Sequence, residues 1–137
     1  MASDVLFRTH GQQKLLMTLR FTFSVFLSLF FLGMGALQLN DPDPLYWITV
    51  YVMTAVIPHS RLLGRTYVTI FWITTGLVLA GLLHSLNGFI DFAAMGDWEL
   101  LTAAMTDRLP AIEYAREFLG LLFSVACLVG YRKATRV

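Results

Sequence analysis

Four carboxylates and one histidine are the residues of this chain whose types and spacing could support chemistry: Asp41, Asp43, His84, Glu113 and Glu117. Carboxylate oxygens bind hard divalent cations, and a histidine in the same set shifts the preference toward a transition metal. The same residues could also form a hydrogen-bonded structural cluster with access to water, which is the interpretation we favour. No cofactor is predicted beyond this possible divalent cation. No Ser, His and Asp set typical of nucleophilic catalysis is discernible, so we do not expect an enzyme.

The first motif is a turn that contains, in order, Asn40, Asp41, Pro42, Asp43, Pro44 and Trp47. Asp43 can cap a following helix whose first residue is Pro44, where the missing N–H costs nothing. A rigid turn explains most of this motif, although either aspartate could also contact an ion or a partner. The aromatic side chains of Tyr46, Trp47 and Tyr51 suit a belt at a membrane interface.

The second motif is a set of charged residues at helical spacing, Glu113, Arg116 and Glu117, followed by Gly120. Spacings of three and four residues place the two glutamates on neighbouring positions of one helix face, with Arg116 at its edge. We therefore predict an ion-paired group, and we expect Gly120 to permit the close approach of another helix. Charges at membrane depth are costly, so these groups should face the protein interior or the lipid headgroups.

Composition places the whole chain in lipid. Hydrophobic residues make up 57% of the 137 residues and charged residues only 14%, which is too apolar for a soluble domain of this size. Long stretches without charge predict four transmembrane helices in one domain, residues 1–137, with spans at about 20–40, 44–58, 66–90 and 110–131. The expected fold is an all-α integral membrane four-helix bundle, and nothing suggests binding to nucleic acid.

The distribution of basic residues predicts the orientation. Eight of the ten Lys and Arg residues lie in the N-terminal segment, the second connection and the C-terminal tail. By the positive-inside rule both termini are expected in the cytoplasm, with the first and third connections outside. His84, near the end of the third span, then lies on the same side as both motifs. We call the combined set the outer polar cluster: Asn40, Asp41, Asp43, Trp47, His84, Glu113, Arg116 and Glu117.

The third connection is expected to contain a short amphipathic helix. Trp98, Leu101 and Met105 recur at helical spacing, with Asp97 available as a cap and Glu99 in the first turn. Such a helix would lie on the outer membrane surface.

Both motifs resemble those of a known family. The stretch from Gln38 to Tyr51 is similar to the signature turn of the transmembrane protein 220 family, whose members are small multi-pass proteins, and the set from Glu113 to Gly120 is similar to its second recurring motif. The resemblance covers the first two spans and the fourth. It implies a four-helix membrane protein but no activity. It also implies that five charged residues act as one unit: Asp41, Asp43, Glu113, Arg116 and Glu117.

The function we expect is that of a non-enzymatic accessory or scaffolding subunit of a larger membrane assembly. No polar stripe that could line a pore is evident, whereas small residues supply faces for helix contact. The expected partners are the lipid bilayer and other membrane subunits or further copies of the chain, in the inner membrane of a bacterium. The alternative is an ion or small-solute binding or transport module that uses the outer carboxylates, and a membrane enzyme acting on lipid or quinone is a third possibility.

Overall fold

The computed structural model describes residues 2–41, 43–63, 67–102 and 110–135. The long helices are α1 (Ala2–Leu37), α2 (Pro44–Leu62), α3 (Val68–Met95) and α4 (Pro110–Thr135). Two short 3₁₀ helices, Gln38–Asn40 and Trp98–Thr102, follow α1 and α3. No strand occurs among these described residues, so the all-α class is confirmed.

Proline and glycine mark the helix boundaries. α2 and α4 each begin at a proline, Pro44 and Pro110, where the ring fixes a helical φ and the missing N–H is not needed. α3 ends before Gly96, whose φ of 72° lies in the left-handed region that glycine adopts without a steric penalty. The helix starts at Pro44 and Pro110 are those that the sequence predicts.

Two of the described segments are long and apolar enough to cross a membrane: Gly11–Asn40, which comprises most of α1 and the 3₁₀ helix after it, and Val68–Met95, which is α3. At about 1.5 Å per residue both are longer than the roughly 30 Å of a bilayer's hydrocarbon core. Neither is strongly buried within the protein, since most of their large apolar side chains are exposed. An apolar surface of this kind is suited to lipid or to another membrane protein.

The helices pack as two hairpins. α1 lies along α2, α3 lies along α4, and α2 also contacts α3 and α4. The main core contains residues of all four helices, among them Phe31, Tyr51, Phe71 and Leu121. A second, smaller core is formed by Phe92, Ile112 and Ala115 near the third connection.

The two hairpins are staggered along their axes. Tyr46, in the first turn of α2, donates a hydrogen bond to the Leu77 carbonyl at 2.6 Å and also lies against Gly81. The last four turns of α3 and the first part of α4 therefore extend past the start of α2. At the opposite end, Ser28 donates to the Ala55 carbonyl at 2.8 Å, so the part of α1 before about Phe21 extends past the end of α2.

Burial corrects the prediction of an interfacial aromatic belt. Trp47 is 3% exposed and Tyr51 is 0% exposed, so both rings belong to the core and not to the lipid interface. The prediction failed because an aromatic residue near the end of an apolar run fits a position at the lipid interface and a position in the protein core equally well.

The glycines of the long helices include positions packed against another helix and positions beside open space. A Cβ added at Gly88 would collide with the Tyr114 ring of α4, and one added at Gly120 would collide with the Tyr51 hydroxyl. Gly76, on α3, has nothing within 4 Å of such an atom. Gly88 and Gly120 thus permit close helix contact, as expected for Gly120, whereas Gly76 faces open space.

Changing Gly88 to valine is expected to destabilise the α3–α4 hairpin by about 1–3 kcal/mol, because the new side chain collides with Tyr114. Gly76→Val on the same helix is the matched control, since it carries the same helix-propensity change into open space. Reversible unfolding in mixed detergent micelles measures both. Equal loss of stability in the two variants would contradict this packing.

Candidate functional site

The turn before α2 is held by the side chain of Asp41. Its Oδ1 accepts a hydrogen bond from the Asp43 N–H at 2.9 Å, while its own N–H donates to the Gln38 carbonyl at 3.1 Å. The Asp43 carbonyl accepts from the Tyr46 N–H at 3.2 Å, which starts the helix. Asn40 and Asp43 are exposed. These hydrogen bonds join the residues on either side of position 42, with Asp41 as the residue whose carboxylate accepts from the main chain.

A surface cleft of about 630 Å³ lies between the start of α2 and α3. Asp43 and Trp47 line one side and His84 lies opposite. The exposed His84 ring also meets the Tyr114 ring edge to face, at 5.5 Å between centroids. Among the described residues that line this cleft, the titratable side chains are those of Asp43, Tyr46 and His84.

Arg116 is bound to the third connection. Its Nε donates to the Leu101 carbonyl at 2.9 Å and its Nη2 donates to the Leu100 carbonyl at 3.1 Å. These carbonyls belong to the 3₁₀ helix Trp98–Thr102, which replaces the start of the expected amphipathic α-helix. Met105, the third residue of that expected pattern, lies outside the described residues. Arg116 thereby fixes the 3₁₀ helix over the second core, where Leu100 and Leu101 also pack.

Glu117 is the most buried charged side chain of the outer polar cluster. It is 7% exposed, and its Oε2 has no hydrogen-bond partner among the described residues. Asp41, Asp43 and the half-buried Glu113 lie within electrostatic range of it. Burying a carboxylate without a partner costs several kcal/mol of free energy, so a bound cation or proton would stabilise this group.

Two further buried oxygens lie at the same face of α4, one from α4 itself and one from α2. Tyr51 Oη, which contacts Gly120, and Ser124 Oγ are both without a hydrogen-bond partner among the described residues. Gly120 follows Glu117 by three residues and precedes Ser124 by four, so the three positions share one helix face. From the sequence, Tyr51 is expected at the membrane interface, and Ser124 is not among the predicted site residues. The seven-residue spacing from Glu117 to Ser124 is the sequence signal that indicates a shared helix face for these two polar residues.

The residues of the outer polar cluster are therefore divided among several places, with Asn40 and Asp41 in the turn before α2. Asp43, Trp47 and His84 line the surface cleft, Arg116 binds the third connection, and Glu117 lies in the interior opposite Tyr51. Among residues 2–41, 43–63, 67–102 and 110–135, no three His, Cys, Asp or Glu side chains are placed to hold a metal ion. The divalent cation considered from the sequence has no such set of ligands there.

Comparison with protein families adds one finding. A family model described as transmembrane family 220, helix, matches residues 30–133, which is more than half of the chain. The match confirms the resemblance seen in the two motifs and extends it through α3 and the third connection, which those motifs did not cover. No curated protein and no solved structure matches the chain.

Arg116→Gln is expected to release the 3₁₀ helix Trp98–Thr102, because two charged hydrogen bonds to its carbonyls are lost, at roughly 1.5–3 kcal/mol each. Hydrogen exchange of a peptide spanning these residues measures the effect as faster deuteration. Lys133→Gln, at an exposed position in the last turn of α4, is the control. Unchanged exchange in Arg116→Gln would show that Arg116 does not hold this segment.

Proposed function

The chain belongs to transmembrane family 220, and from that premise we propose that it is a multi-pass protein of a bacterial cytoplasmic membrane that acts as a non-enzymatic accessory subunit. In this proposal all four long helices cross the membrane and both termini lie in the cytoplasm. The subunit binds other membrane chains through one lateral face. The family match supports the membrane location.

Helix packing and charge support the four crossings. α1 and α3 carry the length and apolarity needed to span a bilayer. α2 and α4 lie along them as hairpin partners, so crossings by α1 and α3 bring α2 and α4 into the same layer. By the positive-inside rule, the basic side chains of Arg132 and Lys133 in the last turn of α4 support a cytoplasmic position for this end.

The observation that carries the subunit role is a groove between α1 and α4. α1 packs along α2 and α4 packs along α3, which leaves an open volume of about 320 Å³ where α1 and α4 face each other. Phe23 and Phe123 form part of its walls, while Ala126 and Gly130, one turn apart, supply small side chains. A Cβ added at Gly130 would meet nothing within 4 Å.

Such a groove suits a helix from another chain. Helices associate in lipid where small residues four apart let backbones approach, and the surrounding phenylalanines add contact area. α1 is available for the same contact, since its side chains from Gly11 to Phe23 are all exposed. A second helix laid in the groove would bury both surfaces at once.

A second candidate function, ion or small-solute binding by the outer carboxylates, is supported by the state of Glu117. Its Oε2 is buried and has no hydrogen-bond partner among the described residues, so a bound cation would stabilise it. Since no three metal-ligating side chains in the described part of the chain are suitably placed, the proton is the cation that suits this position best.

The topology predicts the reactivity of single cysteines in a Cys127→Ala background. Asn40→Cys, at an exposed position before α2, is expected to react with a membrane-impermeant maleimide on intact cells. Gln12→Cys and Lys133→Cys, near the two termini, should react only after permeabilisation. Labelling of all three from the same side, or of Gln12→Cys and Lys133→Cys from opposite sides, would contradict the four crossings.

The groove predicts the effect of filling it. Gly130→Leu is expected to weaken assembly at least about tenfold, equivalent to roughly 1.4 kcal/mol, because the new side chain occupies the partner's place. Native mass spectrometry of particles extracted with their lipid distinguishes an assembly from the 15.4 kDa single chain.

Gly76→Leu is the matched control, since Gly76 also has open space around its Cβ position but lies on α3, away from the groove. It should leave the assembly intact. A wild-type protein that is a single chain with bound lipid in every extraction would contradict the proposal, and so would an assembly that Gly130→Leu does not affect.

A further inference from the structure

We propose that Glu117 is a proton-binding site inside the helix bundle, holding a proton at neutral pH and exchanging it with water at the outer face, with Tyr51 among its polar neighbours on α2. This inference rests on the second candidate function and names its ligand.

The first support is the geometry of three oxygens. Glu117 Oε2, Tyr51 Oη and Ser124 Oγ are buried, and each is without a hydrogen-bond partner among the described residues. Tyr51 Oη lies against Gly120, one turn of α4 from both Glu117 and Ser124. A carboxylic acid donates one hydrogen bond and accepts others, whereas a carboxylate can only accept. A protonated Glu117 therefore matches an environment of hydroxyl groups, either directly or through a bridging water.

The second support is the charge around Glu117. Among the described residues, the titratable groups within electrostatic range of it are the carboxylates of Asp41 and Asp43 from the turn, the hydroxyls of Tyr46 and Tyr51 from α2, and Glu113 of its own helix. All of these are acidic or neutral. They disfavour a further negative charge and favour a bound proton.

Arg116, which directly precedes Glu117 in the sequence, is directed toward the third connection. Two guanidinium nitrogens of Arg116 hydrogen-bond to the carbonyls of Leu100 and Leu101. α1 has no charged side chain from Phe21 to its end, and the one titratable side chain of α3 before Asp91, His84, packs on Tyr114 at the exposed surface. A proton neutralises Glu117 without the further ligand side chains that a metal ion needs.

Access from the outer face follows from the position of Glu117. It lies in the second full turn of α4, within electrostatic range of Asp41 and Asp43 in the turn that starts α2. Protons can therefore exchange over a short distance at this end.

Infrared spectroscopy of the full chain in lipid vesicles tests the proposal. The C=O stretch of a protonated carboxyl group is expected at neutral pH in the wild type, shifted in D₂O, and absent in Glu117→Gln. Glu99→Gln is the matched control, because Glu99 is an exposed carboxylate of the third connection and should leave the band unchanged. In Tyr51→Phe the band should remain but change frequency, since its polar neighbour is lost; this variant serves if Glu117→Gln does not fold.

Elemental analysis of the same samples separates the outcomes. A band that persists unchanged in Glu117→Gln, or that is missing from the wild type, overturns the proton site. A missing band together with a metal ion that is lost in Glu117→Gln overturns it but leaves the ion-binding function standing. A missing band without bound metal overturns both.

Discussion

The arrangement of the helices depends on the side chain of Tyr51, because it links its own helix, α2, to both α1 and α4. Its Cβ lies 3.5 Å from the position that a Cβ of Gly35 on α1 would take, its ring stacks with Phe31 at 6.4 Å between centroids, and its hydroxyl reaches Gly120 of α4. Gly120 is needed to admit the hydroxyl end of this ring, whereas a Cβ at Gly35 would make an ordinary van der Waals contact with Tyr51. Lipid supplies no hydrophobic force between helices, so close contacts of this type have to provide the attraction that holds the two hairpins together.

The same contact explains why polar groups are found in the interior. A ring that crosses from α2 to α4 carries its hydroxyl into the face of α4 that also bears Glu117 and Ser124. Polar atoms in such a place are stable only when they find partners among themselves or with water. The buried bond between Ser60 and Tyr131, at 3.0 Å, shows this solution at the other end of the bundle. Structural packing and the proposed proton site thus arise from one feature.

Much of the fold could be predicted from the sequence, but the composition of the site could not. Long apolar runs and prolines at Pro44 and Pro110 indicate the helices because lipid and φ restrict the chain locally. Helix α1 reaches back to Ala2, well before the predicted start near residue 20, since hydropathy detects contact with lipid and not helical structure. Two features depend on the stagger between the hairpins. One is the direction of the Arg116 side chain, and the other is the contact of Tyr51 with Gly120. Stagger is a tertiary property that spacing within one helix does not report.

The unequal lengths of the staggered helices have a consequence for the surrounding bilayer. At about 1.5 Å per residue, α2 with 19 residues is roughly 28 Å long, whereas the 28 residues of α3 measure roughly 42 Å and the 30-residue apolar segment of α1 roughly 45 Å. No uniform hydrocarbon thickness matches all of these lengths. In the proposed arrangement, in which all four long helices cross the membrane, lipids beside α1 and α3 stretch or those helices tilt, and each ångström of mismatch costs a fraction of a kcal/mol. Membrane thickness would thereby influence where the protein accumulates and which neighbours share its deformed annulus.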